Sequence, residues 1–130
     1  IGNTPLVRLR SLSEATGCEV YGKCEFLNPG GSVKDRVALR IVQEALSAGR
    51  LVAPGGLVSE GSAGSTGISL ALVAKAYGLR CHVALPDDAA QEKADTLRAL
   101  GAEVSPVRPV SISHPGHFVH VARRRAEQEA

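Results

Sequence analysis

Lys34 is the residue of this chain whose surroundings most favour carbonyl chemistry. It stands in the run Asn28-Pro29-Gly30-Gly31-Ser32-Val33-Lys34-Asp35-Arg36. The first four residues form a dense turn signal, Ser32 has the character of a helix N-cap, and Asp35 follows at the spacing of a capping box. Lys34 is therefore expected in the first turn of a helix, where the backbone carries partial positive charge and an ammonium is disfavoured. Steps of three and four from Lys34 reach Ala38, Ile41, Val42 and Ala45, an apolar stripe, so the lysine is expected on the core side. Arg36 lines up instead with Arg40, Gln43, Glu44 and Ser47, and reads as solvated or as the partner of a carboxylate. Two readings of Lys34 stand side by side. A desolvated amine near a helix N-terminus favours its neutral form, which attacks carbonyl carbons and makes Schiff bases. Alternatively, the long stem carries the ammonium past the helix end to water.

A second stretch has the chemistry of an anion site. Leu57-Val58-Ser59 reads as a strand that feeds Glu60-Gly61-Ser62-Ala63-Gly64-Ser65-Thr66-Gly67 and then a helix that is apolar almost all round. Free N–H groups and the helix dipole converge at such a junction, and the hydroxyls of Ser62, Ser65 and Thr66 add donors. The spacing is G-x-x-G-x-x-G, which is neither the dinucleotide pattern nor the Walker pattern, so NAD and nucleoside triphosphates are disfavoured. The competing reading is a tight strand-to-helix turn whose glycines serve packing alone.

Other candidates are weaker. His114, His117 and His120 are spaced by three, but Pro115 and Gly116 break the helix between the first two, which argues against a metal site. Arg123, Arg124 and Arg125 near a helix C-terminus read as a solvated cluster that complements the dipole. His82 reads as packed or hydrogen-bonded within a strand. No Ser/His/Asp arrangement and no carboxylate pair stands out.

The elements that must position these groups alternate strand and helix. Leu6 to Leu9 and Glu19 to Phe26 read as opening strands, and the Lys34 helix is predicted from Ser32 to about Ala48, with Gly49 closing it. The apolar helix runs from about Thr66 to Tyr77 and ends at Gly78. A strand over Cys81 to Leu85 follows, then an amphipathic helix over Ala89 to Leu100 with Ala90, Lys93, Ala94 and Leu97 on one face. Val104 to Val110 is a further strand, placed at an edge by Pro106 and Pro109, and Phe118 to Glu129 is a last helix. Strand, helix and strand in succession predict βαβ units, and hence an α/β fold of three αβα layers around a mainly parallel sheet. The expected division is opening strands over residues 1–30 and βαβ units over residues 31–130.

Bulk composition narrows the partners. A chain of 130 residues suits one domain, and a net charge of +2 with 3% aromatic residues gives no basis for binding nucleic acid. Cys18, Cys24 and Cys81 are odd in number and show no C-x-x-C spacing, which points to a reducing compartment rather than disulfides or zinc. No apolar run reaches a membrane span, and no targeting segment is visible. A chain without methionine that begins at Ile1 is expected to be an internal piece of a longer protein.

Taken together, these stretches resemble the cysteine synthase and cystathionine β-synthase family of fold type II pyridoxal-phosphate enzymes. The resemblance rests on Ile1-Gly2-Asn3-Thr4-Pro5-Leu6-Val7, on Asn28 to Arg36, and on Glu60 to Ala71 with its Thr66-Gly67-Ile68 core. Pro86, the Glu92-Lys93 pair and Leu100-Gly101-Ala102 are similar as well. Three motifs in order are far more specific than any one alone, and they span nearly the whole chain.

The resemblance implies an incomplete tryptophan synthase β-subunit-like fold, with the C-terminal part absent. It implies pyridoxal 5'-phosphate as cofactor, held by Lys34 as a Schiff base and contacted by Ser65. It also implies that Ser62, Ala63, Gly64 and Thr66 hold the carboxylate of a small amino-acid substrate. The implied reaction is β-elimination from an activated L-serine to an aminoacrylate, then addition of a sulfur nucleophile, with Lys34 handling the α-proton. A homodimer in the cytoplasm or an organelle is implied for the whole protein, and this piece alone is expected to be inactive. The family usually carries asparagine just before the Thr-Gly-Ile core, where it hydrogen-bonds the cofactor's ring oxygen, and many members have serine at the position of Ala63, with alanine in some cysteine synthase-like branches. This chain has the shorter Ser65 and an alanine there. The alternatives are a serine/threonine dehydratase or cysteine desulfhydrase on the same fold, and a non-catalytic scaffold that keeps the fold.

Overall fold

Short apolar runs separated by helices with one buried stripe give, in this computed structural model, an alternating α/β chain described over residues 1–129. The chain opens with a small antiparallel ribbon, in which β1 (Leu6–Arg8) pairs with β2 (Tyr21–Lys23), Leu6 opposite Lys23 and Arg8 opposite Tyr21. Between them lies α1 (Arg10–Thr16), a helix that periodicity does not signal because its one large apolar residue, Leu12, is exposed. It is fastened instead by a polar contact, the buried Ser13 hydroxyl accepting the Val20 N–H at 3.0 Å. The strand expected over Glu19 to Phe26 is shorter: after Lys23 the chain tightens into a 3-10 turn, Glu25–Leu27, leaving Phe26 exposed.

The Lys34 helix, α2 (Lys34–Ser47), begins later than the predicted Ser32 start and is not opened by a capping box. Ser32 Oγ accepts the Lys34 N–H at 3.2 Å as a local turn, and the Asp35 side chain is drawn into the interior rather than back to Ser32. At its other end Gly49 adopts φ +67° while Arg50 N donates to Ala45 O and Gly49 N to Leu46 O, the paired bonds of a Schellman stop. Ala38 and Val42 are fully buried against the next helix, but Ile41 departs from the predicted stripe and is exposed. A residue next to Val42 is turned about 100° from it around the axis, which carries Ile41 out to the line of Val33 and Val37.

The main sheet is parallel and ordered β3 (Leu57–Gly61), β4 (Arg80–Pro86), β5 (Glu103–Val107). Its crossovers are α3 (Ser65–Ala76) and α4 (Gln91–Ala99), and α5 (Phe118–Glu127) follows β5. Successive residues of β4 face opposite ways. Val83 packs toward Gly67 of α3 with Leu97 of α4 nearby, while His82 faces the other side. There Ser59 bonds both His82 and, through its hydroxyl at 2.8 Å, the Ala122 carbonyl of α5. The result is three layers: α3 and α4, the sheet, and α5. Burial of β4 on both faces is what a central parallel strand requires. β5 lies at an edge as Pro106 predicts, but it ends at Val107, short of the expected Val110, so Pro109 falls outside it.

His82 is packed and hydrogen-bonded as expected, its two ring nitrogens meeting Ser59 Oγ at 2.8 Å and Ser105 Oγ at 2.9 Å. Burial pushes its pKa down. On α4 only Ala94 and Leu97 are buried, so Ala90 and Lys93 leave the face expected for them. No helix among the described residues is long and apolar enough to cross a membrane.

Two glycines of the G-x-x-G-x-x-G run are needed by this packing. A Cβ on Gly61 would meet the Val119 Cα at 2.5 Å, and one on Gly67 would meet Val83 Cγ1 at 3.0 Å. Gly64 differs, because a Cβ there would find only Ser62 Oγ, at 3.8 Å. Gly61→Ala should accordingly lower unfolding free energy by about 1–3 kcal/mol in the whole protein, since the α5 backbone must retreat. Gly64→Ala should change it by less than about 1 kcal/mol. Urea denaturation of the two variants checks the contrast, and equal effects would contradict it.

Candidate functional site

Lys34 takes its position from its neighbour in sequence. Asp35 is fully buried, accepts Gly30 N–H with one carboxylate oxygen, and accepts the equally buried Ser69 hydroxyl at 2.5 Å with the other. Ser69 lies one turn into α3, four residues beyond Ser65, so this bond seats the first turn of α2 beside the first turns of α3. One helical turn rises only about 5.4 Å, which brings Lys34 and the loop before α3 to one end of the α2–α3 pair. Lys34 itself is half-buried, and its ammonium has no hydrogen bond or ion pair among the described residues.

The loop from Ser62 to Thr66 is an open strand-to-helix junction. Ser62 N–H still continues the sheet by donating to Ala84 O at 3.0 Å, and its hydroxyl turns back to accept Gly64 N–H at 3.1 Å. The N-cap of α3 is Gly64, so no side chain caps this helix, and its first N–H groups have no intrahelical partner. Among the described residues the Ser65 and Thr66 hydroxyls also make no hydrogen bond to protein. The Ala63 carbonyl is taken by Lys93 Nζ at 2.9 Å. Just before this junction the half-buried Glu60 has its carboxyl pKa pushed up by burial.

The turn that precedes Lys34 is tied down by a polar network. Asn28 is buried, its Oδ1 accepts Gly2 N–H at 2.8 Å, and its amide donates to Glu25 and to the Ser32 carbonyl. Arg36 meets both oxygens of Glu25 at 2.9 Å in a bidentate pair, so of its two readings it is the partner of a carboxylate. Thr4 completes the set by donating to Glu25 at 2.7 Å. The Ile1 to Val7 opening and the Asn28 to Arg36 run are thus one structural unit, with Lys34 near its end.

The remaining candidates stay apart from this site. His114, His117 and His120 each bond nearby backbone, at Gly116 N, Val119 N and Ile112 O. No group of three or more His, Cys, Asp or Glu side chains that could hold a metal ion occurs among the described residues. The arginines are tied up rather than merely solvated: Arg123 pairs with Glu127, Arg124 bonds Pro115 O, and Arg125 pairs with Glu103 and Glu129. All three cysteines are unpaired, and burial holds the Cys81 thiol up at about 12, away from nucleophilic chemistry.

Sequence reasoning reached Lys34 and the loop but missed Asp35, Ser69, Asn28, Glu25 and Lys93. One signal was present: a serine inside a helix as apolar as α3 must find a buried partner.

The donor set left open suits an anionic group that bears a reactive carbonyl: an amine without a partner, uncapped N–H groups, two free hydroxyls and the open space over Gly64. A family model described as "Pyridoxal-phosphate dependent enzyme" matches residues 1–130. The chain is 55% identical over 128 residues to "Cysteine synthase 1" of Neurospora crassa, which covers 98% of this chain and 34% of that protein. It is 50% identical over 129 residues to "Putative mitochondrial cysteine synthase" of Saccharomyces cerevisiae, covering 98% of this chain and 33% of that protein. It is 51% identical over 106 residues to the cystathionine beta-synthase of Mus musculus, covering 80% and 19%. Among solved structures it superposes on O-ureido-L-serine synthase with a TM-score of 0.88 at 38% identity, over 98% of this chain and 39% of that one. The chain therefore spans about a third of the length of the cysteine synthases it matches.

The Glu25–Arg36 pair has a pH signature. The Arg36 hydrogen bonds, with help from Thr4 and Asn28, hold the Glu25 carboxyl down at about 2, whereas an unfolded glutamate titrates near about 4.3. Above the unfolded value both states are ionised and the contribution is fully present. As pH falls from there to about 2 the unfolded state takes up its proton first, and the contribution is lost. The difference in unfolding free energy between wild type and Glu25→Gln should be level above pH ~5 and shrink on acidification. Urea titrations across that range check it, and a difference independent of pH would contradict it.

Proposed function

This chain belongs to the pyridoxal-phosphate dependent enzymes, and we propose that the whole protein is a cysteine synthase-like enzyme that replaces the β-substituent of an activated L-serine with a sulfur nucleophile. The observation that supports the reading is the Asp35–Ser69 bond, which ties the first turn of α2, where Lys34 stands, to α3 near its uncapped, hydroxyl-rich start. The names of the 50–55% identical relatives support the choice of reaction within the family.

Lys34 Nζ is the residue to hold pyridoxal phosphate, being the unpaired amine of the site, and Ser65 is the side chain nearest the start of α3 to contact it. When bound, the cofactor supplies an electron sink for charge developing at the substrate Cα. Ser62, Ala63, Gly64 and Thr66 bind the substrate carboxylate through loop N–H groups and hydroxyls, with the α3 dipole favouring the negative charge. Gly64 N–H is held by Ser62 Oγ and must be released or shared as the anion enters. Lys34 Nζ takes the α-proton and returns it, a role that needs an amine with no competing carboxylate. Apolar packing of α3 against α2 and β4 keeps water from the base of the site.

A small amino-acid substrate, a homodimeric assembly and a reducing compartment, in the cytoplasm or an organelle, complete the reading. The odd number and spacing of the cysteines in the sequence are the basis for the last of these, and the net charge of +2 gives no basis for a nucleic-acid partner.

Borohydride reduction of the whole protein with pyridoxal phosphate, followed by peptide mapping, should place the label on Lys34. O-acetylserine with sulfide should give cysteine, and Lys34→Ala should lower the rate by at least about a hundredfold. Label at another lysine would contradict the assignment, and pyruvate without cysteine would contradict the reaction.

A further inference from the structure

We propose that Lys93 is a positioning residue for the carboxylate loop. Its Nζ holds the Ala63 carbonyl and so keeps the loop's N–H groups, rather than that carbonyl, turned to the anionic end of the substrate. This rests on the reading that residues 62–66 take the substrate carboxylate.

The loop has few constraints of its own. Ser62 N–H is the last group continuing the sheet, Gly64 as N-cap offers no capping side chain, and the space beside Gly64 is open. The Ala63–Gly64 peptide unit is held on its N–H side only by the exposed 3.1 Å bond to Ser62 Oγ, which an entering anion must release or share. The carbonyl is an acceptor and repels an incoming carboxylate, whereas the N–H attracts it. Lys93 reaches across from α4, thirty positions along the chain, and its 2.9 Å bond to Ala63 O holds the carbonyl side of the same peptide unit, so the orientation is kept when the Ser62 bond is given up to the anion. It also brings a full positive charge to the loop.

Its own placement points the same way. Lys93 sits in the first turn of α4, where the helix dipole disfavours an ammonium, and it is exposed, so burial does not account for it. A lone exposed lysine-to-carbonyl bond adds little to global stability. Its effect is local, on the loop it tethers.

The test compares Lys93→Met, which keeps the stem without the donor, with Lys93→Arg, which keeps a cationic donor, in the whole protein. KM for the amino-acid substrate should rise about tenfold in Lys93→Met while kcat changes far less, and Lys93→Arg should recover most of the loss. Hydrogen exchange of the peptide spanning residues 62–66, measured without substrate, should quicken in Lys93→Met and not in Lys93→Arg, with thermal midpoints unmoved. An unchanged KM, or a fall confined to kcat, would overturn the proposal. Loop exchange identical in wild type and Lys93→Met would overturn it too, and that readout holds whatever reaction the protein performs. Absence of β-replacement in the wild type would instead count against the proposed function.

Discussion

A carboxylate removed from water must be satisfied by donors, and Asp35 is satisfied by two that come from different parts of the fold. The Gly30 N–H belongs to the turn before α2, and the Ser69 hydroxyl belongs to the second turn of α3. One buried side chain therefore fixes the turn, the start of α2 and the start of α3 against one another. Lys34 is its neighbour in sequence, and the loop of residues 62–66 ends one turn before Ser69. The geometry of the site follows from that single junction more than from any property of Lys34 alone.

Around this junction the glycines divide between packing and access. Gly61 and Gly67 admit α5 and Val83 to close contact, which closes the layers on either side of the sheet. At Gly64 the only near atom is Ser62 Oγ, at ordinary contact distance, which leaves room over the loop. The Asn28 network plays the matching part on the other side, where Gly2, Glu25, Ser32, Thr4 and Arg36 hold the turn before Lys34 in one shape. Two segments distant in sequence, each stiff at its base, thereby present unpartnered polar groups at one end of the α2–α3 pair.

The parts legible in the sequence are those governed by local period and by turn chemistry. The helices after Lys34 and Thr66, the edge strand marked by Pro106, and the glycine stops at Gly49, Gly78 and Gly101 all follow from spacing. Lys34 and the loop were legible because a lysine in a first helical turn and a run of three glycines both break local rules. What spacing could not show was which groups meet across the chain. Asp35 has the spacing of a capping box and instead turns inward to Ser69, thirty-four positions away. Helix α1 has no apolar stripe to betray it, being held by the hydroxyl of Ser13. Lys93 looked like part of a buried face, yet its exposed side chain spans the surface to Ala63.

The account stands on energetic coupling between Asp35 and Ser69. A double-mutant cycle of Asp35→Asn and Ser69→Ala in the whole protein, read both as unfolding free energy and as the rate of pyridoxal-phosphate attachment at Lys34, measures it directly. The predicted result is a coupling of at least about 1 kcal/mol in stability, with attachment slowed by each single change and little further by the pair. Effects that add to within about 0.5 kcal/mol, with attachment at the wild-type rate, would contradict it.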